Sequence, residues 1–493
     1  MTGGPAGALT GMIPGMQPML GNDTQPGCAT LPRRTAVAGL VALALLSSGC
    51  SFLRKDKIHH IVRPSAQPAA RCEVDGPPAE RILGIGISGG GSRAAVFGAA
   101  ALEALAEHGI LGQVSHLSSV SGGSLPAAFY LTYPPACEET ATECWHVYFS
   151  ELKGSMRHKF QSWMLARNES QPWRSSSPTR RVTSLQEVLD NQFLHGKTFG
   201  DLGSDPVLMI NATSYDETRR FVFSNVCLAE GAVDPSGSSK RYRVMAEKAL
   251  AQRALQAFTF SRPQCIRPVP TDLPVSLAVA TSAAFPGVLG PVSIQAPSAC
   301  DDGEPEWWHL GDGGIIENSG TDSLDEILLR RLLDEGPTLK TALILSVDAG
   351  SHSDPEELKR DRTFNMHRNK SRLGLVVDSP RVRGQAYHDI FWDELVDELA
   401  KEGIGYEKIT FRYSQAELND PPSSCAKEIS DGKTSHDLLL EIETKFNIKE
   451  CHADILEMAA HQLVHEAFDV EAVRRLTSDG FSIHTARECA LAH

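Results

Sequence analysis

Apolar positions become regular at Ile82. Residues Ile82 to Ile87 form an unbroken apolar run, which predicts a strand buried on both faces. Ser88-Gly89-Gly90-Gly91-Ser92 follows as a tight loop. From Arg93 to His108 small and apolar residues recur at helical spacing, and the pattern ends at Gly109. The same order then repeats: Val114 to Val120 reads as a strand, Ser121-Gly122-Gly123 as a turn, and Ser124 through Tyr130 as a helix. Two consecutive strand–turn–helix units predict an α/β fold of three layers, α/β/α, with a mostly parallel central sheet. An active site is then expected at the C-terminal ends of the strands.

Further along, residues 135–204 are helix-prone and polar, with loop-like stretches around Asn168 to Thr179. Pro206 to Thr213 and Arg220 to Phe223 predict a strand pair around Tyr215-Asp216-Glu217. Leu273 to Ala283 predicts a helix ending near Pro286, and Thr341 to Val347 predicts another buried strand. Beyond Ser351 the chain is more charged. Lys408 to Tyr413 could add a strand to the sheet, and the residues from Ser435 onward read as helices. The expected organisation is a signal over 1–49, a polar linker over 50–79, a catalytic core over 80–350 and a mainly helical extension over 351–493 packed on that core.

Composition narrows the possibilities. The chain has 493 residues, 41% hydrophobic and 22% charged, which fits a globular protein. A net charge of −14 argues against a nucleic-acid partner, which needs a basic face. No apolar run is long enough to span a bilayer. At the N-terminus, Arg33-Arg34, the apolar run Ala36 to Leu46 and the small residues Ser47-Ser48-Gly49 have the order of a secretory signal. Because that signal ends on Cys50, it resembles a bacterial lipoprotein signal, which implies lipidation of Cys50. Ser47 stands where such signals usually carry leucine. A plain cleaved signal or an uncleaved anchor is the alternative. The expectation is an exported, membrane-anchored protein meeting a membrane surface. Ser51 after the cysteine leans towards the outer membrane.

Eleven cysteines fit export, because an oxidising compartment permits disulfides. Setting aside Cys28 in the signal and Cys50 for lipid leaves an odd number, so at least one free thiol is expected in a monomer. Cys137 and Cys144 are the easiest pair to close. No cysteine pair has zinc-type spacing, and neither a metal nor a cofactor is expected.

Three segments could carry chemistry. Ser121 lies at a strand-to-helix junction with Ser119 two residues before it and Gly123 two after it. Small neighbours suit a nucleophile elbow, where a sharp turn exposes the serine hydroxyl. The plainer reading is a linking Ser/Gly loop. Gly89, Gly90 and Gly91 precede a helix N-terminus, where backbone N–H groups can stabilise the oxyanion of acyl transfer. Gly84-x-Gly86-x-x-Gly89 also spells a dinucleotide fingerprint, but its first two glycines fall inside the strand. The lysine of a P-loop is absent as well. Asp312-Gly313-Gly314 is either an ordinary turn or a buried carboxylate beside the serine.

The order of these segments resembles the patatin-like phospholipase family. Ala278-Val279-Ala280-Thr281-Ser282-Ala283-Ala284-Phe285-Pro286 is similar to the family's segment before its aspartate, and Ser184-Leu185-Gln186 through Phe199-Gly200-Asp201-Leu202 to its helix and loop before the middle strand. The likeness covers roughly residues 80–350. It implies a serine acyl hydrolase acting on phospholipid, lysophospholipid or other lipid esters through a Ser–Asp dyad, Ser121 and Asp312, without histidine. It also implies an oxyanion hole from the Gly89–Gly91 loop, with Arg93 fixing that loop and Gly313 and Gly314 completing the acid motif. Two positions depart from the family: Ser119 replaces the elbow's first glycine, and Ala94 the last glycine of the loop.

Two rivals stand beside this reading. A Ser-His-Asp triad esterase would need a later histidine, with His388, His461 and His465 as candidates. An inactive lipid-anchored binding protein would keep the fold alone. His461 and His465 fall one helical turn apart, but the sequence shows no third metal ligand, so a solvated helix face is expected.

Overall fold

In a computed structural model the residues described are 58–63, 80–135, 142–170, 177–228, 240–252, 256–257, 259–260, 269–286, 288–297, 304–333, 339–350 and 370–469. Cys50 and the signal lie outside the described residues. Nine strands form one sheet: β1 (His60–Ile61), β2 (Arg81–Ile87), β3 (His116–Val120), β4 (Val207–Ser214), β5 (Arg219–Ser224), β6 (Val292–Ala296), β7 (Glu306–Asp312), β8 (Thr341–Asp348) and β9 (Gly405–Arg412). Their order is β1-β6-β7-β4-β3-β2-β8-β9, and β5 pairs with β4 off this path. The strands β4-β3-β2-β8-β9 run parallel. The contacts β4–β5, β4–β7 and β6–β7 are antiparallel.

The longer helices are α1 (Ser92–Glu107), α2 (Ser124–Thr132), α3 (Thr142–Met156), α4 (Phe160–Ser170), α5 (Pro178–Leu189), α6 (Arg241–Leu250), α7 (Val275–Ser282), α8 (Asp322–Leu333), α9 (Lys370–Lys401) and α10 (Glu450–Asp469). Alternation along the strands sorts them into two layers. In β2, Leu83, Ile85 and Ile87 join the core shared with α1–α5, α7 and α10. Ile82 joins the core shared with α6, α8 and α9 on the other face. The expected three-layer α/β/α build is thus what the chain adopts.

Helix α1 explains its own composition. Every residue from Ser92 to Leu105 is buried, between the sheet and the helices α3 and α10. A helix enclosed on all sides has no polar face to show. Its many alanines let the neighbours approach closely.

The structure departs from the sequence reading in several places. The presumed linker contributes a short edge strand: His60 and Ile61 pair parallel with Ile294 and Gln295 of β6, and Val62 is buried in the core. Residues beyond 350 contribute to the sheet and to the core. Strand β9 pairs with β8 along its whole length, α10 packs on α1, and Phe411, Tyr413, Leu438 and Leu456 belong to the core of the first layer. The segment Lys159 to Arg167 lies in α4, which buries Phe160, Met164 and Asn168 at fourfold spacing; this is a core-packing face. Among the described residues no helix is long and apolar enough to cross a membrane.

A disulfide joins Cys425 to Cys451. Neither the spacing nor the composition pointed to this pair. Cys144 and Cys227 are also disulfide-bonded. Cys137, the expected partner of Cys144, lies outside the described residues.

Candidate active site

At the end of β3 the chain turns sharply. Ser121 has φ of 51°, a left-handed conformation that a side chain takes rarely. It opens a 3₁₀ turn, Ser121–Gly123, that runs directly into α2. The strained residue is held by a relay. Its N–H donates to Ser282 Oγ (2.7 Å), and that hydroxyl donates to the Asn211 carbonyl (2.6 Å). Asn211 is buried and ties the relay to its neighbours. Its Nδ2 donates to Ser118 Oγ and to the Ser119 carbonyl, both at 2.9 Å, and its Oδ1 accepts from Ser323 Oγ at 2.6 Å. Gly122 lies so close to the Gly91 carbonyl that a Cβ there would overlap it. The elbow and the glycine loop therefore interlock. Ser119 is fully buried within β3, a place where a small hydroxyl side chain fits.

Strand register brings Asp312 to the same point. Val120 of β3 lies opposite Asn211 of β4, so the next residue, Ser121, comes level with Ala212. Asp312 of β7 pairs with that same Ala212 from the other side. Past Asp312 the chain crosses over the middle of β4 beside Val120, where Gly313 rests on the Asn211 carbonyl with no room for a side chain. This crossing needs the glycine of the Asp-Gly-Gly motif. The result is a hydrogen bond from Ser121 Oγ to Asp312 Oδ2 (3.3 Å), while Asp312 Oδ1 accepts from the Gly314 N–H (2.8 Å).

Both side chains are buried, Ser121 to 8% exposure and Asp312 to 7%. Burial disfavours the charged carboxylate and pushes Asp312 up to about 7. The Gly314 N–H and the Ser121 hydroxyl pull the other way but lose. A carboxyl poised near neutrality can both accept and return a proton at physiological pH.

The Gly89–Gly91 loop sits beside the elbow at the N-terminus of α1. Its three glycines are not equivalent. The Gly89 N–H donates to the Asn318 carbonyl (2.9 Å), so it is not a donor for an oxyanion. The N–H groups of Gly90 and Gly91 donate to no described residue. Gly91 has φ of 62°, which turns its backbone out of the helix path. Arg93 does not point at the serine. Its buried guanidinium donates to the carbonyls of Ala349 (2.9 Å) and Ile442 (2.6 Å) and to Thr444 Oγ1 (3.2 Å), and lies 5.0 Å from the ring centre of Tyr413. The Ser92 N–H donates to the Lys445 carbonyl (2.6 Å). The loop is therefore braced by a segment some 350 residues away.

Several neighbours escaped sequence reasoning. Asn318 sits where a Cβ on Gly89 or Gly314 would meet its amide oxygen. Nothing in its local pattern marks it. Ser282 falls in the segment that resembles the family, but its role as acceptor from Ser121 shows only in three dimensions. The histidines proposed for a triad lie elsewhere. His388 Nε2 is 3.1 Å from Asp325 and accepts from Trp392 Nε1 (2.6 Å). His461 is 3.0 Å from Glu103, and His465 is 3.2 Å from Glu107. No described histidine hydrogen-bonds to Ser121 or Asp312. The face carrying His461 and His465 is partly solvated, with side chains 26% and 41% exposed, and the two rings lie against Glu103 and Glu107 of α1. Among the described residues the groups able to hold a metal ion are Glu107–His461–His465, Glu103–Glu107–His146 and Asp322–Asp325–His388. None includes Ser121 or Asp312.

Comparison with known proteins adds the family. Residues 86–325 match the family model described as patatin-like phospholipase. No curated protein matches the chain. Among solved structures, human GIVD cytosolic phospholipase A2 aligns at a TM-score of 0.41 and 12% identity, covering 80% of this chain and 60% of that one. The structure of human GIVD cytosolic phospholipase A2 in complex with methyl gamma-linolenyl fluorophosphonate aligns at 0.39 and 14%, covering 81% and 59%. VipD from Legionella pneumophila aligns at 0.26 and 10%, covering 86% and 72%. The chain thus spans about three fifths of the length of the human structures it matches. Residues 86–325 of the chain thus form a patatin-like phospholipase domain.

Proposed function

We propose that this protein hydrolyses carboxylic esters of lipids, of the phospholipid or lysophospholipid class, with Ser121 as nucleophile and Asp312 as its base. The observation that carries this reading is the hydrogen bond between Ser121 Oγ and Asp312 Oδ2 (3.3 Å), with no described histidine bonded to either.

The chemistry follows from the geometry. Asp312 accepts the proton as Ser121 Oγ attacks the ester carbonyl. Charge then develops on the carbonyl oxygen. The Gly90 and Gly91 N–H groups, which donate to no described residue, would stabilise it at the start of α1. Asp312 returns the proton to the departing alcohol, leaving an acyl-Ser121 ester. A water molecule, deprotonated by the same carboxylate, attacks the acyl carbonyl and breaks the bond to Ser121 Oγ; Asp312 hands that proton to Ser121 Oγ as the fatty acid leaves. Arg93 holds the loop without touching substrate. The family match favours a lipid ester over other acyl groups.

We extend the proposal to location: lipidation at Cys50 would keep the catalytic unit beside its substrate surface. The Cys425–Cys451 disulfide supports an oxidising compartment.

A fluorophosphonate probe tests the reaction. Mass spectrometry of the full chain is expected to find the adduct on Ser121, and Ser121→Ala is expected to lose both adduct and lysophospholipid turnover. His388→Ala, His461→Ala and His465→Ala should each keep turnover near the parent rate. A folded parent chain that stays unlabelled would mean a binding protein on this fold. Loss of turnover in one histidine variant would restore the triad. Radiolabelled palmitate incorporation that survives Cys50→Ala would overturn the anchoring.

A further inference from the structure

We infer that Glu107, His461 and His465 form a binding site for a divalent transition-metal ion of the zinc class, clamping α10 onto α1. The site lies at the end of α1 away from the glycine loop. Sixteen residues of helix separate the two ends, about 24 Å at helical rise, so the ion would serve the fold and not the ester chemistry.

The first support is spacing. His461 and His465 stand one turn apart on α10, which puts both rings on one side of the helix. Glu103 and Glu107 are spaced alike on α1 and face them. The second is distance. Glu107 Oε2 lies 3.5 Å from His461 Nδ1 and 3.2 Å from His465 Nε2. Ligands at zinc-type bond lengths around a tetrahedral ion lie roughly 3–3.5 Å from one another. All three donor atoms fall within 4.8 Å of each other. Two histidines with one glutamate is a ligand set that zinc accepts, whereas alkaline-earth ions prefer oxygen alone.

The third support is what stands behind the ligands. A metal-bound imidazole usually gives its other nitrogen to a carboxylate or similar group, which fixes ring and tautomer. Here His461 Nε2 is 3.0 Å from Glu103 Oε2, and Glu103 is itself held by Lys153 Nζ at 2.6 Å. His465 Nδ1 is 2.7 Å from His108 Nε2. Each ring thus presents one nitrogen to Glu107 and hands the other to a buried partner. His146 on α3 comes within the same radius of Glu103 and Glu107 and could supply a fourth ligand. The competing arrangement is a plain ion-pair network, with protonated rings against the two carboxylates. It uses the same contacts but binds no metal.

Titration calorimetry separates the two. The full chain, stripped with EDTA and dialysed, is titrated with ZnCl2 and separately with CoCl2. One ion per chain is expected, with a rise in melting temperature on saturation. Glu103→Gln, which weakens the hold on His461 and removes the charge opposite Lys153, should weaken Zn2+ by roughly 10–100-fold. Glu107→Gln and His465→Ala should weaken it further or abolish saturation. Ester turnover should stay at the parent level in all three. Should a variant misfold, diethylpyrocarbonate modification of the parent chain gives the same answer: Zn2+ should protect His461 and His465. Absence of saturable binding by the parent chain, binding unchanged in Glu107→Gln and His465→Ala, or no protection of these two rings would overturn the inference.

Discussion

Replacing Asp312 by asparagine separates what burial does for the fold from what it does for the chemistry. Desolvation raises the carboxyl from its usual 3.8 to about 7. Between these two values the folded protein keeps a proton that the unfolded chain has already released. Folded stability therefore falls as pH rises through that window, by about 1.4 kcal/mol for each pH unit. The accumulated loss is on the order of 4 kcal/mol by pH 8. Asparagine has the same shape and no proton to lose, so it escapes this slope. Urea unfolding, followed by tryptophan fluorescence at pH 4 to 8, should show a stability difference between Asp312→Asn and the parent that grows with pH. Only this pH-dependent part matters, because exchanging hydroxyl for amide adds a constant. The variant should lose lysophospholipid turnover at every pH. The parent's rate should climb towards a plateau above about pH 7, as the base becomes ionised. A stability difference that does not change with pH would refute the raised carboxyl. Near-parental turnover in the variant would refute its role as base.

Gly122→Ala drives a methyl group into the Gly91 carbonyl, an overpacking expected to cost about 1–3 kcal/mol. Fluorophosphonate labelling of Ser121 should slow by more than the melting temperature suggests, because the displaced partner is the glycine loop itself. Cys451→Ser opens a link that closes a loop of 26 residues, which should lower stability by roughly 3–4 kcal/mol. Because that loop contains Ile442, Thr444 and Lys445, kcat should fall while the fold persists at low temperature, as read by circular dichroism beside the activity assay.

The legible part of the fold is the part whose physics is local. Strands β2 and β8 are buried on both faces and show as largely apolar runs, whereas β3 (His116-Leu117-Ser118-Ser119-Val120) is marked by the glycine turn and the apolar helix that follow it. Strand β7 does not have this form. Its Glu306 and His309 are only half-buried and its Trp307 is 43% exposed, so no single pattern marks it, although it delivers Asp312. Strand β6 is almost wholly buried, but Ser293 and Gln295 break its apolar run, and β1 is too short to show any period. The antiparallel pairings of β6 and β7 were missed for that reason, whereas the β4–β5 pair was expected. Beyond 350 the strand expected at Lys408 to Tyr413 is present as β9 (Gly405–Arg412), but the charge along this stretch did not show that the core of the first layer continues through it.

The candidate site divides along the same line. Ser121, Asp312 and the glycine loop are recognisable because their chemistry lies in side chains and glycines at particular places in the order of the chain. Their supports are not, because most of them are backbone carbonyls. Arg93 is held by the carbonyls of Ala349 and Ile442, the Ser92 N–H by that of Lys445, and the Gly89 N–H by that of Asn318. Any residue can offer a carbonyl, so no residue type marks those positions. Arg93 was expected to help fix the loop, and its guanidinium reaches the Ile442 carbonyl and Thr444 in the C-terminal segment. The candidate site therefore draws on residues on both sides of 350. A region that reads as a helical extension is part of the wall against which the glycine loop is built.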